Sequence, residues 1–344
     1  MKAWRVVRKG RPSEALSLEE VAPTDLEPGE IRVRVSASAC NFNEVDGCYG
    51  RYRTVDPELP YTLGMEAVGI VEEVAGGVSG EWVGQRVLVC GRGATGAHAE
   101  EVVGPVDMAF PAPETLTDPE AAAFYFPYHV ASASLLERGK LQPGETALIH
   151  AGAGGVGSAA IQLAKAQGAK VIATAGSEAK VEFCRQLGAD VAINSREDDL
   201  HAAVSEVTGG RGVDVACDLV GGEATKQTMG VMAYGGRLML TGFSGGIEAE
   251  DEAGLLPRPI IFGNFSVSGV LLSYGDPNAF GLVGIHMIPR ATGLAIHERL
   301  IELLEGRAIR PVVGRAVPYT ALPEELERME RRETMGRTVL RWRG

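Results

Sequence analysis

Thr146-Ala147-Leu148-Ile149-His150, an apolar run of strand type, leads directly into Ala151-Gly152-Ala153-Gly154-Gly155-Val156-Gly157 and then into a helical stretch, Ser158 to Gln167. No other segment limits the possible folds as tightly. A Gly152-x-Gly154-x-x-Gly157 turn that leaves a strand and opens a helix is the dinucleotide-binding fingerprint in the context it requires. Gly152 permits the tight turn, Gly154 lets the backbone approach a pyrophosphate, and Gly157 lets helix and strand pack closely. The helix N-terminus offers free N–H groups to the anion, and Gly155 and Val156 in the turn are candidate cofactor contacts with it.

The surrounding texture supports a parallel sheet. From about Glu114 onward, apolar β-runs alternate with segments of helical period, the signature of βαβ units. Candidate strands cover Thr146 to His150, Lys170 to Thr174, Asp190 to Ile193, Val213 to Asp218, Arg237 to Thr241 and Ser266 to Leu271, which makes the six of a complete doubly wound dinucleotide fold. Before residue 114 the pattern is different: short alternating runs such as Ile31-Arg32-Val33-Arg34-Val35 are punctuated by Pro28-Gly29 and Gly76-Gly77, as in an antiparallel β domain. Beyond Pro289 comes a helix around His297 to Glu305, then strand-like runs through Ala316-Val317 and Thr338-Val339-Leu340. The expected organisation is therefore a β-rich domain over 1–113, completed by 290–344, and a doubly wound domain over 114–289.

Which dinucleotide binds is decided at the end of the second strand, where an acidic residue would hold the ribose hydroxyls of NAD. The positions there are Thr174-Ala175-Gly176-Ser177, and none is a carboxylate. Ser177 reads as an N-cap for a helix beginning at Glu178, with Lys180 one turn in, an arrangement suited to a 2′-phosphate. Arg196, after the third strand, is a second candidate for that phosphate, and NADPH is the expected cofactor. Gly242, Phe243 and Ser244, after the fifth strand, and Asn264 and Phe265, leading the sixth, are candidates for the nicotinamide half.

Composition excludes several classes. Asp and Glu outnumber Lys and Arg by 45 to 33, and a net charge of −12 repels polyanions, so nucleic acid is not an expected partner. Thr146 to Ala164 is the longest stretch without a charge, but its glycines, His150 and Gln162 do not suit a lipid-facing helix, so no membrane span is expected. Lys2, Arg5, Arg8 and Lys9 interrupt what would be the apolar core of a signal peptide, and the cytoplasm is the expected location. Five cysteines, with no CxxC pair, argue against both a disulfide framework and a sulfur-rich metal site.

The join of a β-rich N-terminal region to this fingerprint resembles the medium-chain dehydrogenase/reductase superfamily over essentially the whole chain. The marks are Glu30 to Val35, Gly64-Met65-Glu66-Ala67-Val68-Gly69-Ile70-Val71, Val83-Gly84-Gln85-Arg86-Val87 and Gly144 through Gly157. The resemblance implies a GroES-like β-rich catalytic domain joined to a Rossmann domain. Within the superfamily the chain looks like the zinc-free quinone oxidoreductase branch. Asn41 and Met65 stand where zinc-dependent members carry Cys and His, neither is a normal zinc ligand, and Gly91 to Gly104 lacks the cysteines of a structural zinc lobe. No metal is expected.

A branch without a Lewis acid suits acceptors that need little polarisation: quinones and conjugated enones. The family motif Asn-Phe-x-Asp-x-x-x-x-x-Gly-x-Tyr corresponds here to Asn41 through Tyr52, with Glu44 in place of Asp and Asp46 in place of a frequent Tyr. The resemblance casts Asn41 as a hydrogen-bond donor beside the nicotinamide and Tyr52 as the candidate acid. Tyr52 also matches the catalytic tyrosine of 2-enoyl thioester reductases, which keeps an enoyl-thioester or alkenal reductase as a second reading, with Arg51 and Arg53 available to a CoA phosphate. Val130 replaces a small polar residue, usually Thr, placed against the nicotinamide in relatives, and His129 beside it reads as a packing residue. Arg337 is either a pyrophosphate contact, as in zinc-dependent relatives, or an exposed surface charge. A nucleotide-binding sensor without turnover is a third reading. Relatives also imply a homodimer that extends the cofactor sheet through Ser266 to Leu271.

Overall fold

The computed structural model describes residues 1–51, 55–246, 255–281 and 284–343. The chain divides into two compact units, one of Met1–Tyr125, Ser273–Leu294 and Pro311–Gly344, the other of Phe126–Leu272 and Ala295–Arg310. This differs from the expected boundaries at 113 and 289, and particular contacts explain why. The guanidinium of Arg290 donates to the carbonyls of Asp107 and Ala109 at 2.7 and 2.6 Å and lies 4.1 Å from the centre of the Phe110 ring, which fastens 273–294 to the first unit. Arg310 donates its backbone N–H to Gln162 Oε1 at 2.9 Å, and Arg299 donates to Gln167 Oε1 at 2.6 Å, which fastens 295–310 to the second.

The first unit begins with β1 (Lys2–Val6), β2 (Leu16–Glu20), β3 (Glu30–Ala39), β4 (Tyr61–Thr62), β5 (Glu66–Val74), β6 (Arg86–Cys90), β7 (Glu101–Pro105) and β8 (Ala109–Pro111). In β3 the alternation read from the sequence is the observed one. Ile31, Val33 and Val35 point into the core, while Arg32 and Arg34 face out and pair with Glu73 and Glu72 on the antiparallel neighbour β5.

The second unit contains β9 (Thr146–Ile149), β10 (Lys170–Ala175), β11 (Val191–Asn194), β12 (Val213–Asp218), β13 (Met232–Leu240) and β14 (Ser266–Gly269). They form one parallel sheet in the order β11-β10-β9-β12-β13-β14, the doubly wound 3-2-1-4-5-6 arrangement. All six expected strands are present, with ends displaced by a few residues; His150 lies just past its strand, and β13 begins earlier than read. Leu148, Ile172, Ala216 and Leu238 form part of its core, where strands covered on both faces read as near-continuous apolar runs.

The chain re-enters the first unit through β15 (Tyr274–Gly275) and β16 (Ile288–Pro289), and again through β17 (Val313–Pro318) and β18 (Arg337–Arg341). β18 does not sit at an edge. It pairs with β17 on one side and with β3 on the other, so Ala39 of β3 faces Val339 on one flank and Glu66 of β5 on the other. This register brings Asn41, Glu66 and Arg337 together. Among the described residues no helix is long and apolar enough to cross a membrane.

Candidate coenzyme site and catalytic cluster

In the second unit the fingerprint turn has the geometry its glycines predict. A Cβ on Gly157 would lie 2.2 Å from the Ala151 carbonyl oxygen and 2.8 Å from Gly152 Cα, so helix and turn are in contact where only glycine fits. A Cβ on Gly152 would fall 2.9 Å from Cys184 Sγ and 3.1 Å from Ala173 Cβ. Gly154 is the N-cap of the helix Gly155–Ala166, which begins inside the fingerprint and earlier than Ser158, and no side chain caps it. The N–H groups of Gly155 and Val156 therefore open the helix without a side-chain acceptor, the arrangement that receives a phosphate.

The candidates for the 2′-phosphate stand at and beyond the end of β10. Ser177 is the N-cap of the helix Glu178–Gln186, but its hydroxyl makes no capping bond, which leaves it available to a ligand. A Cβ on Gly176 would meet Arg196 Nε at 3.4 Å, so the Arg196 side chain lies against Gly176. Lys180 is the third residue of the helix that Ser177 opens. Gly242, Phe243 and Ser244 follow β13 and lie against the turn after β12: Gly242 N donates to Asp218 O at 3.1 Å and Ser244 N to Leu219 O at 2.9 Å. That is the carboxyl edge, where such sheets bind ligands.

Asn264 and Phe265 are corrected by the topology. They precede β14 in an all-parallel sheet, so they stand at its amino edge, the end opposite Gly242–Ser244. Asn264 is the left-handed C-cap of the helix Pro257–Gly263, and Phe265 is buried in the core of the unit. The chain following β14 is what reaches the carboxyl edge, with Val270 N donating to Leu240 O at 2.9 Å.

Tyr52 and Arg53 lie outside the described residues. Arg51 pairs with Asp46 at 3.1 Å and stacks over the Tyr49 ring at 4.2 Å, and Asp46 is buried. Val130 is buried in the helix Asp118–Ser132, and His129 beside it packs with His297, Nε2 to Nδ1 at 3.2 Å.

The first unit carries a buried polar cluster around Asn41. Arg337 is 7 % exposed, so it is not a surface charge; it is ion-paired with Glu66 and donates from Nη1 to Asn41 Oδ1 at 3.0 Å. The Asn41 amide faces the Ala39 carbonyl at 3.1 Å and the carboxylates of Glu44 and Glu66 at 3.4 Å each. Its donors are engaged inside the unit, so the geometry displays a brace for Arg337 rather than a free donor. Glu44, at the third position of the helix Phe42–Tyr49, accepts from the backbone N–H of Asn41 and of Met65, each at 3.1 Å, and contacts His98 Nε2 at 2.9 Å. His98 Nδ1 meets Ser38 Oγ at 2.9 Å, and Ser38 accepts from Trp342 Nε1 at 2.9 Å. Sequence reasoning missed this chain of bonds. One signal was available, since an N-cap Asn followed three residues later by Glu is a capping-box spacing. His98 gives no local signal because it lies far along the chain from Glu44.

This cluster does not fit a metal at the position that zinc-dependent relatives use. Asn41 and Met65 supply an amide and a thioether, and the Arg337 guanidinium already holds Asn41 and Glu66. Cys40, Glu44 and His98 are the one group of ligand types gathered among the described residues, with ligand atoms within 4.8 Å of one another. Glu44 and His98 are committed to the bonds above, and burial pushes the Cys40 thiol well up, which keeps it protonated.

The family profile described as "Alcohol dehydrogenase GroES-like domain" matches residues 27–114, and that described as "Zinc-binding dehydrogenase" matches residues 155–283. The rat (Rattus norvegicus) quinone oxidoreductase is 34 % identical over 279 residues, 79 % of this chain and 80 % of that protein. The chain belongs to the medium-chain dehydrogenase/reductase superfamily, in its quinone oxidoreductase-like branch. The crystal structure of Escherichia coli quinone oxidoreductase complexed with NADPH superposes with a TM-score of 0.86 at 28 % identity, over 99 % of this chain and 100 % of that one. A phenolphthiocerol/phthiocerol polyketide synthase of Mycobacterium tuberculosis is 40 % identical over 229 residues, but the match spans only 10 % of its length.

Proposed function

We propose that this chain is a zinc-independent, NADPH-dependent oxidoreductase that reduces a quinone or an activated alkene. The observation that carries the reading is the end of β10, where Arg196 lies against Gly176, none of Thr174 to Ser177 is a carboxylate, and the neighbouring strand β9 runs into a helix start at Gly155 that no side chain caps. Gly152, Gly154 and Gly157 shape the pyrophosphate turn, Gly155 and Val156 offer N–H groups to it, and Ser177, Lys180 and Arg196 hold the 2′-phosphate. Gly242, Phe243 and Ser244 line the nicotinamide end. Bound NADPH supplies a hydride. Tyr52 stabilises or protonates the oxygen on which charge then develops, the step general acid catalysis accelerates. Asn41 accepts from Arg337 within the first unit and holds it in place there.

A second reading, reduction of an enoyl thioester, is favoured by the match to a polyketide synthase, since polyketide chains are built as thioesters. NADPH oxidation followed against a quinone, an enal and an enoyl-CoA separates the two; NADPH binding with no turnover on any of them would leave only a sensor. Tyr52→Phe lowers kcat on the enal or enoyl-CoA by roughly 10² and quinone turnover much less, because reduced quinones take protons from water. Equal loss on every acceptor with weakened NADPH binding would remove Tyr52 from the chemistry.

The homodimer belongs to the same proposal. Among the described residues β14 is the last strand of its sheet, and the same unit exposes Tyr234 at 87 %, Phe262 at 77 % and Ile261 at 66 %. An open strand edge with exposed apolar groups in the same unit suits a second copy. Light scattering of the purified protein tests it, with Phe262→Glu shifting mass toward the monomer. Work in the cytoplasm is part of the same reading, and cell fractionation tests that.

A further inference from the structure

His150 leaves the end of β9 directly before the fingerprint turn and is buried. Both ring nitrogens are bonded: Nδ1 meets Thr174 Oγ1 at 3.0 Å and Nε2 meets Thr228 Oγ1 at 2.7 Å. The roles of the two nitrogens follow from Thr228, whose hydroxyl donates to the Ala224 carbonyl at 2.7 Å within the helix Glu223–Met229. Thr228 must therefore accept from His150, which puts the ring proton on Nε2 and leaves the Nδ1 lone pair to accept from Thr174. Thr174 is held twice, because its carbonyl also accepts from the N–H of Gly152, the first glycine of the fingerprint, at 2.9 Å.

These bonds join the two halves of the coenzyme site. Gly152 belongs to the pyrophosphate turn, whereas Thr174 stands three residues before Ser177 on the strand that ends at the 2′-phosphate position. We propose that His150 is a positioning residue that sets the end of β10 relative to the fingerprint turn, and through Thr174 fixes the preference for NADPH over NADH. This rests on the reading that the chain binds NADPH at this edge. Its acceptor half, Nδ1 toward Thr174, carries the preference; its donor half, Nε2 toward Thr228, supports the fold.

The two halves separate by substitution. His150→Asn places an acceptor near the Nδ1 position, and His150→Gln places a donor near the Nε2 position. NADPH and NADH dissociation constants are measured by fluorescence for the full chain, with thermal melting to show that each variant is folded. The expected result is that His150→Gln lowers the NADPH-over-NADH preference about fivefold or more, the effect of one lost buried hydrogen bond, with kcat at saturating NADPH unchanged, while His150→Asn keeps the preference. Thr174→Val removes the same bond from its other end and lowers the preference likewise, which keeps the test intact should a His150 variant fail to fold. Equal weakening of both nucleotides, or an unchanged preference in Thr174→Val, overturns the proposal. A wild-type chain that binds no NADPH overturns instead the functional reading beneath it.

Discussion

The carboxylate of Glu44 contacts His98 Nε2 at 2.9 Å while accepting the backbone N–H of Asn41 and of Met65. One side chain thus fixes both positions that carry metal ligands in zinc-dependent relatives. Zinc analysis of the purified protein is expected to find no stoichiometric metal, and chelators to leave activity unchanged. About one zinc per chain with chelator-sensitive turnover would reverse the branch assignment.

Glu44→Gln keeps the shape of the side chain but turns an NH₂ group toward donors that need an acceptor. A buried donor left without its acceptor costs about 1 to 3 kcal/mol, which is the loss expected in chemical denaturation. A change below about 0.5 kcal/mol, within the range of ordinary surface substitutions, would show that the bonds around Glu44 contribute nothing.

Arg337 and Glu66 form a buried ion pair, with side chains 8 % and 1 % exposed. Arg337→Ala removes the guanidinium that pairs with the buried Glu66 and is expected to cost about 3 to 5 kcal/mol, whereas Arg337→Met combined with Glu66→Leu recovers much of it. Denaturation of the three variants checks this. A double variant no more stable than Arg337→Ala would rule out charge as the reason for the loss.

Burial lowers the His150 pKa from its ordinary value of 6.5, and the Asp218 charge opposes that shift without cancelling it. The folded pKa therefore lies below the unfolded one, so the native state is favoured fully above pH 6.5. As pH falls below that, the unfolded chain takes up a proton the folded chain refuses, and stability declines until the folded pKa is passed. Unfolding free energies from pH 7.5 to 5.5 should fall for the wild type and fall less for His150→Gln. Parallel curves would exclude His150 as the source.

Arg196→Ala and Lys180→Ala are each expected to weaken NADPH by about 1 to 3 kcal/mol, the scale of a lost charge-assisted hydrogen bond, and to spare NADH. Titration with both nucleotides decides it. A wild-type preference for NADH would remove the 2′-phosphate role from Ser177, Lys180 and Arg196 together.

The fold of the second unit was legible because its signals are local. The fingerprint, the strand before it and the missing acid at the end of β10 all lie within a few residues of the atoms they position. Asn264 and Phe265 were misplaced by treating residues before a strand like residues after one; in a parallel sheet the two stand at opposite edges. The buried polar cluster around Asn41 was not legible, because its parts meet through pairing across the chain. His98 reaches Glu44 from a segment held by the Trp4 N–H donating to the His98 carbonyl, and Arg337 reaches Asn41 because β18 pairs with β3. The exchange of 273–294 and 295–310 between units was hidden for the same reason, resting on Arg290 and Arg310 rather than on any change in local texture.

The position of β18 inside its sheet bears on the order of synthesis. Residues 126–272 are contiguous and make up most of the second unit, so a growing chain can complete that sheet while the ribosome is still adding the rest. The first unit, although made first, must wait: β3 lacks one neighbour, Cys40 N has no Thr338 carbonyl, and Glu66 has no Arg337 until the ribosome has passed residue 338. Nascent chains arrested before Arg337 would carry a finished parallel sheet while β3 still lacks its β18 partner.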